Sequence, residues 1–429
     1  MTGASSSHVQ ELYDKYGFLL LTGLPRGSYL TLDAHAFRID TSFQGFKMIP
    51  PGLHALAWQA AAKADDDHME PMAAEGIRSI LFVYIHENQV LARTYNASSD
   101  AWTLLPGTTP QAEIIVGREH LQAMDKQLAA YPMTARDSWT TLTKHLAQHP
   151  AILQRIFGLQ SSDATCDSFT PVTIQESSVP LRHASKESTL LDQASTITHS
   201  LHCTPFVLAR SWPPSAQGVE RTTWSMDKSW LLQDVLHRAA EPGISPTYTP
   251  LLCEVELCFI LFLYANNAAA LEHWLSLLTL FACSASMLGA PGPHSMHPCE
   301  WDHTTTMPSP SAPALEAHIA WMHTLTTQFE ALPSSIWTEE LATSEARVLR
   351  DLAQLRANIA RSLGAWAVSH PPATPSSTHE RLVQAWRALS TTARTRFGWT
   401  LDQSVDEEIE ADEWEEGDNA PVIVDTEIL

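Results

Sequence analysis

GFLLLTGLPRGSYLTLDAHAFRIDTSFQGFKMIPPGLHAL, residues 17–56, is the stretch that decides the fold of the N-terminal part of the chain. Its apolar residues fall in short runs at 18–21, 29–32, 37–39 and 46–49, and a further run follows at 53–58. Runs of that length, several of them alternating, suit strands rather than helices. Turn chemistry separates them. Leu24-Pro25-Arg26-Gly27 sets Pro where a turn wants φ fixed and Gly where it is favoured at the end. Pro50-Pro51-Gly52 ends a strand, because neither proline has an N–H to give to a ladder. Runs at 80–85, 90–95 and 114–116 continue the pattern, which predicts an antiparallel sandwich or barrel.

Beyond Gly117 the periodicity lengthens. Helices are expected at 118–128, 138–147 and 151–157, the second with Asp137 as its N-cap, closing a β-rich domain over 1–160. Residues 161–221, rich in Ser, Thr, Pro and His, read as a linker with room for a strand or short helix near 206–208. Helices at 229–239, 251–265, 268–288, 312–331, 344–363 and 379–397 then make an all-helical domain over 222–400. Residues 289–311 form a second loose loop, 401–429 an acidic tail, and no internal repeat is found. The fold class is α+β, in two domains.

Charge narrows the function. The chain has 429 residues and a formal net charge of -22, yet charged residues make up only 17 %, against roughly 25 % in an ordinary soluble domain. Twelve Asp or Glu and no Lys, Arg or His lie between Asp402 and Leu429, which leaves -10 for the preceding 401 residues. A body without a basic stripe is poorly suited to replace phosphate counterions, so direct nucleic-acid binding is not expected. The acidic end suits a basic protein surface instead. Cys166, Cys203, Cys253, Cys258, Cys283 and Cys299 lack the spacing of a disulfide framework, which points to a reducing, intracellular setting. The N-terminal residues show no basic region ahead of an apolar core, so no secretory signal is expected, and the Asn96-Ala97-Ser98 sequon is not expected to be used. The longest uninterrupted apolar run, 257–265, falls short of the roughly 20 residues a membrane helix needs.

Four stretches, in order along the chain, carry a resemblance. The first is 17–56, with Gly45-Phe46-Lys47-Met48-Ile49-Pro50-Pro51-Gly52-Leu53-His54 as its most distinctive string. The second, 124–146, holds Tyr131-Pro132 and then Trp139, Leu142 and Thr143. The third, 251–288, opens with a glutamate-bearing apolar helix and carries Glu272-His273-Trp274. The fourth begins with Phe397-Gly398-Trp399, runs through acidic residues and closes on Ala420-Pro421-Val422-Ile423-Val424. Together they resemble the A1-cistron splicing factor family, assembly chaperones of the U5 small nuclear ribonucleoprotein; the 161–221 linker and the 289–311 loop match nothing in it.

The resemblance implies a β-sandwich N-terminal domain, a helical C-terminal domain similar to the VHS fold and an extended tail. It also implies a cytoplasmic and nuclear protein without enzymatic activity. Such proteins bind the RNase H-like and Jab/MPN-type domains of the U5 scaffold protein, keep the U5 helicase from docking early, and are released by phosphorylation. A cytosolic adaptor that recognises protein cargo through a VHS-like domain is the alternative of a different class.

Candidate residues follow from chemistry and resemblance together. In the tail, Pro421, Val422, Ile423, Val424 and Asp425, with Glu413 and Trp414 upstream, suit addition as a strand to a partner's sheet edge. A disordered solubility tail, or a strand folded back on its own domain, fits the same residues. Lys47, Met48, Pro50, Pro51 and His54 form either a family-specific surface or a rigid structural turn. His294, His297, Cys299 and His303 sit in one Pro-rich loop without the paired spacing of a zinc site, and Asp65, Asp66, Asp67, His68 and Glu70 read as solvated. Cys253 and Cys258 read as core packing, Trp274 as a packed core residue and His273 as a hydrogen-bonded one. Ser309-Pro310 is a candidate phosphorylation site. With no G-x-S-x-G elbow, phosphate loop or H-E-x-x-H helix in the sequence, no catalytic residue, metal site or cofactor is expected.

Overall fold

A computed structural model describes residues 15–40, 42–61, 78–98, 101–104, 118–157, 170–172, 201–290, 312–369 and 377–401. The expected strand at 114–116, the 291–311 part of the second loop and the tail lie outside these residues. Two compact units divide the chain: Met1–His202 with Ile260–Ala270, and Cys203–Phe259 with Leu271–Leu429.

Among the described residues, unit 1 is built on ten strands: β1 Gly17–Thr22, β2 Tyr29–Leu32, β3 His35–Arg38, β4 Gly45–Ile49, β5 Gly52–Gln59, β6 Ser79–Ile85, β7 Val90–Asn96, β8 Ala101–Leu104, β9 Leu128–Ala130 and β10 Thr170–Val172. They form two five-stranded sheets, ordered β8-β7-β1-β4-β9 and β10-β6-β5-β2-β3. Leu19 and Leu21 of one sheet share a core with Leu30, Leu32, Leu56, Trp58, Leu81 and Val83 of the other, so the pair is a sandwich. The second sheet is antiparallel throughout, whereas in the first β1 runs parallel to β7 and β4 parallel to β9. The β1 sequence explains this. Phe18 and Leu20 are buried on the face opposite Leu19 and Leu21, against Leu121 and Leu128, and a strand apolar on both faces is the mark of parallel pairing.

Local readings were displaced where long-range pairing won. The helix expected over 118–128 stops early: α1 spans Arg118–Ala123, and Leu128–Ala130 is drawn into the sheet beside β4. A ladder satisfies those backbone groups as well as a helix would, and adds burial of Leu128. Helix α2, Met133–Leu142, starts after Pro132, not at Asp137, because Pro suits a helix start. α3 is Pro150–Ile156.

Unit 2 is helical: α4 Val219–Met226, α5 Ser229–Ala239, α6 Thr249–Ala265, α7 Ala268–Ala282, α8 Ala312–Ala331, α9 Ala342–Ser369 and α10 Ser377–Phe397, with the end of α6 and the start of α7 counted in unit 1. It begins at Cys203, well before Thr222. Residues 203–218 are held by buried polar contacts: Lys228 Nζ donates to Leu208 O at 3.0 Å, to Ser211 Oγ at 3.1 Å and to Ser225 O. Burial lowers the Lys228 pKa to about 8. Among the described residues no helix is long and apolar enough to cross a membrane.

Candidate functional site

The string Gly45–His54 is the crossing between the two sheets of unit 1, since β4 lies in one and β5 in the other. Gly45 is required where it stands: its φ is +134°, and a Cβ there would sit 2.0 Å from Leu19 O. Pro50 and Pro51 then turn the chain with no ladder donor to leave unsatisfied.

Below that turn lies a closed polar network. His54 Nδ1 is 2.8 Å from Asp33 Oδ2, and its Nε2 is 2.7 Å from Pro50 O. Tyr131 donates its hydroxyl to the same Asp33 Oδ2 at 2.6 Å, and the Ala55 N–H donates to Asp33 Oδ1 at 3.0 Å. Asp33 is 1 % exposed and His54 3 %. Both ring nitrogens face acceptors, so the doubly protonated imidazole satisfies both. Burial opposes that charge, but Asp33 outweighs it with help from the Pro50 carbonyl, and the His54 pKa rises. Burial and the Asp33 charge push the Tyr131 hydroxyl well above its ordinary value.

A histidine–aspartate pair invites a catalytic reading, but the geometry argues against it. The hydroxyl on this carboxylate is that of Tyr131, whose pKa is raised rather than lowered, and the pair is closed to solvent. This is a structural clamp. It joins the first matched stretch to the second, reinforced by Trp139 Nε1 donating to Leu53 O at 2.7 Å and by Lys47 Nζ, 2.6 Å from Asp125 Oδ1.

The surface expected on this string is therefore narrower than its five residues. Pro51 is exposed and Lys47 and Met48 are half-buried, while Pro50 and His54 are buried. His54 faces inward because Asp33 holds it. A cavity of about 330 Å³ in unit 1 is lined by Thr22, Gly23, Leu24, Arg26, Asp40, Phe43 and Gln44.

The other matched stretches lie mainly in unit 2. Trp274 packs beside Phe259 and donates Nε1 to Gln328 Oε1 at 2.9 Å; Gln328 in turn donates to Val255 O at 3.2 Å. Glu272 accepts from Arg347 at 2.6 Å. The hydrogen bond expected of His273 is not made by its Nε2, which stands 3.7 Å from Glu254 Oε2. That carboxylate is occupied by the Thr204 N–H at 2.9 Å and the Thr204 hydroxyl at 2.7 Å. Cys253 and Cys258 are fully buried. After α10, Gly398 takes φ +77°, and Phe397 and Trp399 close an aromatic cluster with Phe329 and Trp337.

Pro421, Val422, Ile423, Val424, Asp425, Glu413 and Trp414 of the tail lie outside the described residues, as do His294, His297, Cys299, His303, Ser309 and the 65–70 acidic cluster. Asp33 and Tyr131 were not singled out for the clamp by sequence reasoning. Nothing local marks Asp33, whose role depends on a partner 98 positions away.

Comparison with known proteins covers both units. Residues 15–158 match the family model described as the AAR2 N-terminal domain, and 204–402 match the AAR2 C-terminal repeat region. Among similar proteins are those named Protein AAR2 homolog from Mus musculus, 25 % identical over 293 residues, and from Homo sapiens, 24 % over 294. Each alignment spans 65 % of this chain and 72 % of the relative. The Caenorhabditis elegans protein of the same name is 23 % identical over 288 residues, covering 66 % and 76 %.

Proposed function

The chain belongs to the AAR2 family, which ties it to pre-mRNA splicing, and from that premise we propose that it is a non-enzymatic assembly chaperone of the U5 small nuclear ribonucleoprotein. It binds the RNase H-like and Jab/MPN-type domains of the U5 scaffold protein together and blocks premature docking of the U5 helicase. The observation that carries this reading is the paired family match, 15–158 and 204–402, which takes in both folded units. The tail supplies the chemistry of contact. Val422, Ile423 and Val424 are strand formers, and main-chain bonds to a sheet edge need only an extended segment without interior Pro. The acidic residues from Asp406 to Glu416 pair with basic groups that would otherwise face RNA, so low salt tightens the complex. Assembly places the protein in both cytoplasm and nucleus, and phosphorylation releases it by adding negative charge to an already acidic contact.

The test is binding of the full-length chain and of a 1–403 truncation to the two scaffold domains, separately and together. The full chain is expected to hold both in one complex and the truncation to lose it. Equal binding by the truncation would move recognition to the folded units and leave the tail a solubility element. No binding by either at low salt would reject the chaperone reading and favour a cargo adaptor.

A further inference from the structure

Three chemically matched side chains converge in unit 2, two of them within the 251–288 stretch. The Sγ atoms of Cys203 and Cys258 and a ring nitrogen of His273 all lie within 4.8 Å of one another. Three separate segments supply them: Cys203 opens the unit, Cys258 lies on α6, and His273 lies on α7. Glu254 stands one helical turn before Cys258 on α6, so both project from one face, and its Oε2 is 3.7 Å from His273 Nε2.

We propose that Cys203, Cys258 and His273 are ligands of a zinc ion, with Glu254 as the supporting carboxylate beside His273. The distances carry the argument. In a tetrahedron the ligand–ligand edge is about 1.6 times the metal–ligand bond, so Zn–S bonds of about 2.3 Å set two sulfurs about 3.8 Å apart. The two Sγ atoms are 3.9 Å apart. A nitrogen ligand at about 2.1 Å beside a sulfur at about 2.3 Å requires an edge of about 3.6 Å, and the His273 ring nitrogen and both Sγ atoms lie within 4.8 Å of one another. His273 Nε2 stands 3.7 Å from Glu254 Oε2, too long for a hydrogen bond. A disulfide fits less well, since its sulfurs stand about 2.05 Å apart.

The surroundings are those of a metal site. Glu254, beside His273, is itself fixed by the N–H and hydroxyl of Thr204, the kind of outer-shell carboxylate that accompanies ligating histidines. Cys203 and His273 are half-buried while Glu254 and Cys258 are buried, which leaves the ion a way in. Zinc takes the two thiols as thiolates, neutralising the charges their burial would otherwise disfavour. Bound there, it ties residue 203 to α6 and α7 and fixes where unit 2 begins.

The experiment uses the full-length chain, reduced and stripped of metal, titrated with zinc chloride and separately with cobalt chloride. The proposal expects one zinc per chain, and a cobalt spectrum with thiolate-to-metal charge transfer and the strong visible bands of a tetrahedral centre. Cys203→Ser and His273→Gln, both at half-buried positions, should weaken zinc binding by at least ~100-fold. Glu254→Gln should weaken it ~10–100-fold. Cys299→Ser, in the His-rich loop, should change nothing. Zinc should also protect Cys203 from alkylation, a readout that does not depend on how well a variant folds. No zinc uptake, loss of uptake on Cys299→Ser but not on Cys203→Ser, or a cobalt spectrum without thiolate bands would each overturn the site.

Discussion

In unit 1, His54 reaches Asp33 at 2.8 Å and the Pro50 carbonyl at 2.7 Å; in unit 2, His273 stands 3.7 Å from Glu254, and its Nε2 makes no hydrogen bond. Both pairs set an imidazole against a deeply buried carboxylate, and in both the carboxylate also accepts a backbone N–H. Asp33 uses its remaining capacity on Tyr131, which completes a closed set. Glu254 accepts the Thr204 hydroxyl instead, and two thiols lie near His273. A histidine with both nitrogens satisfied has nothing left to offer a ligand, so the first pair holds the fold. The second keeps a ligand-ready nitrogen beside sulfur, which is why a metal is inferred there and not at Asp33.

The strongest way to break this contrast is to neutralise each carboxylate without changing its shape. Asp33 accepts on both oxygens, from Ala55 N–H on one and from His54 and Tyr131 on the other. An amide in either orientation therefore turns an N–H₂ toward a donor. Asp33→Asn is expected to cost about 3–5 kcal/mol, as breaking a buried charged pair does, read from urea unfolding. Glu254→Gln in metal-free protein should cost only about 1 kcal/mol. Its amide oxygen keeps the Thr204 N–H, and its N–H₂ donates to the Thr204 hydroxyl, which rotates to accept. Equal losses would show that the two pairs do the same work.

Much of this architecture was legible before any coordinates, and the failures have a common cause. Strands β1–β7 and helices α5–α10 were marked by local apolar runs and periodicity, whereas α4, Val219–Met226, begins inside the stretch read as linker. β9 was not so marked, since Leu128–Ala130 has helical neighbours and becomes a strand only through pairing with β4. Residues 203–218 read as linker because the 161–221 stretch is rich in Ser, Thr, Pro and His with weak periodicity; they belong to unit 2 through polar contacts such as Lys228 with Leu208 and Ser211. Cys253 and Cys258 looked alike on one helix, yet Cys258 meets the thiol of Cys203 at 3.9 Å. The clamp and the thiol cluster both join residues far apart in sequence, and single-sequence periodicity holds no signal for that.

Titration sharpens the comparison with smaller effects. The His54 pKa is raised, so its contribution is fully present below about 6.5 and is lost as pH climbs through the folded value. His318 in unit 2 is the opposite case. Burial lowers its pKa despite carbonyls of Ala314 and Phe281 near its two nitrogens, so its contribution is intact above about 6.5 and is lost as pH falls below it. The stability difference between wild type and His54→Gln should shrink from pH 6 to pH 8, and that for His318→Gln should grow. Parallel trends would mean that Asp33 does not hold charge on His54.

The smallest expected effect calibrates the others. Arg381 meets Glu316 through both guanidinium nitrogens, one at 2.7 Å, a geometry as good as any in the buried sets. What it lacks is burial, for the Arg381 side chain is 52 % exposed and that of Glu316 29 %. Water screens the pair, and ordering two long side chains offsets much of the remaining attraction. Arg381→Ala should therefore cost no more than about 1 kcal/mol, and less still as salt is raised. A loss comparable to that of Asp33→Asn would mean that hydrogen-bond geometry alone sets these energies. A small, salt-sensitive loss would place the difference in desolvation, the same property that makes an unfilled nitrogen beside two thiols a place for an ion.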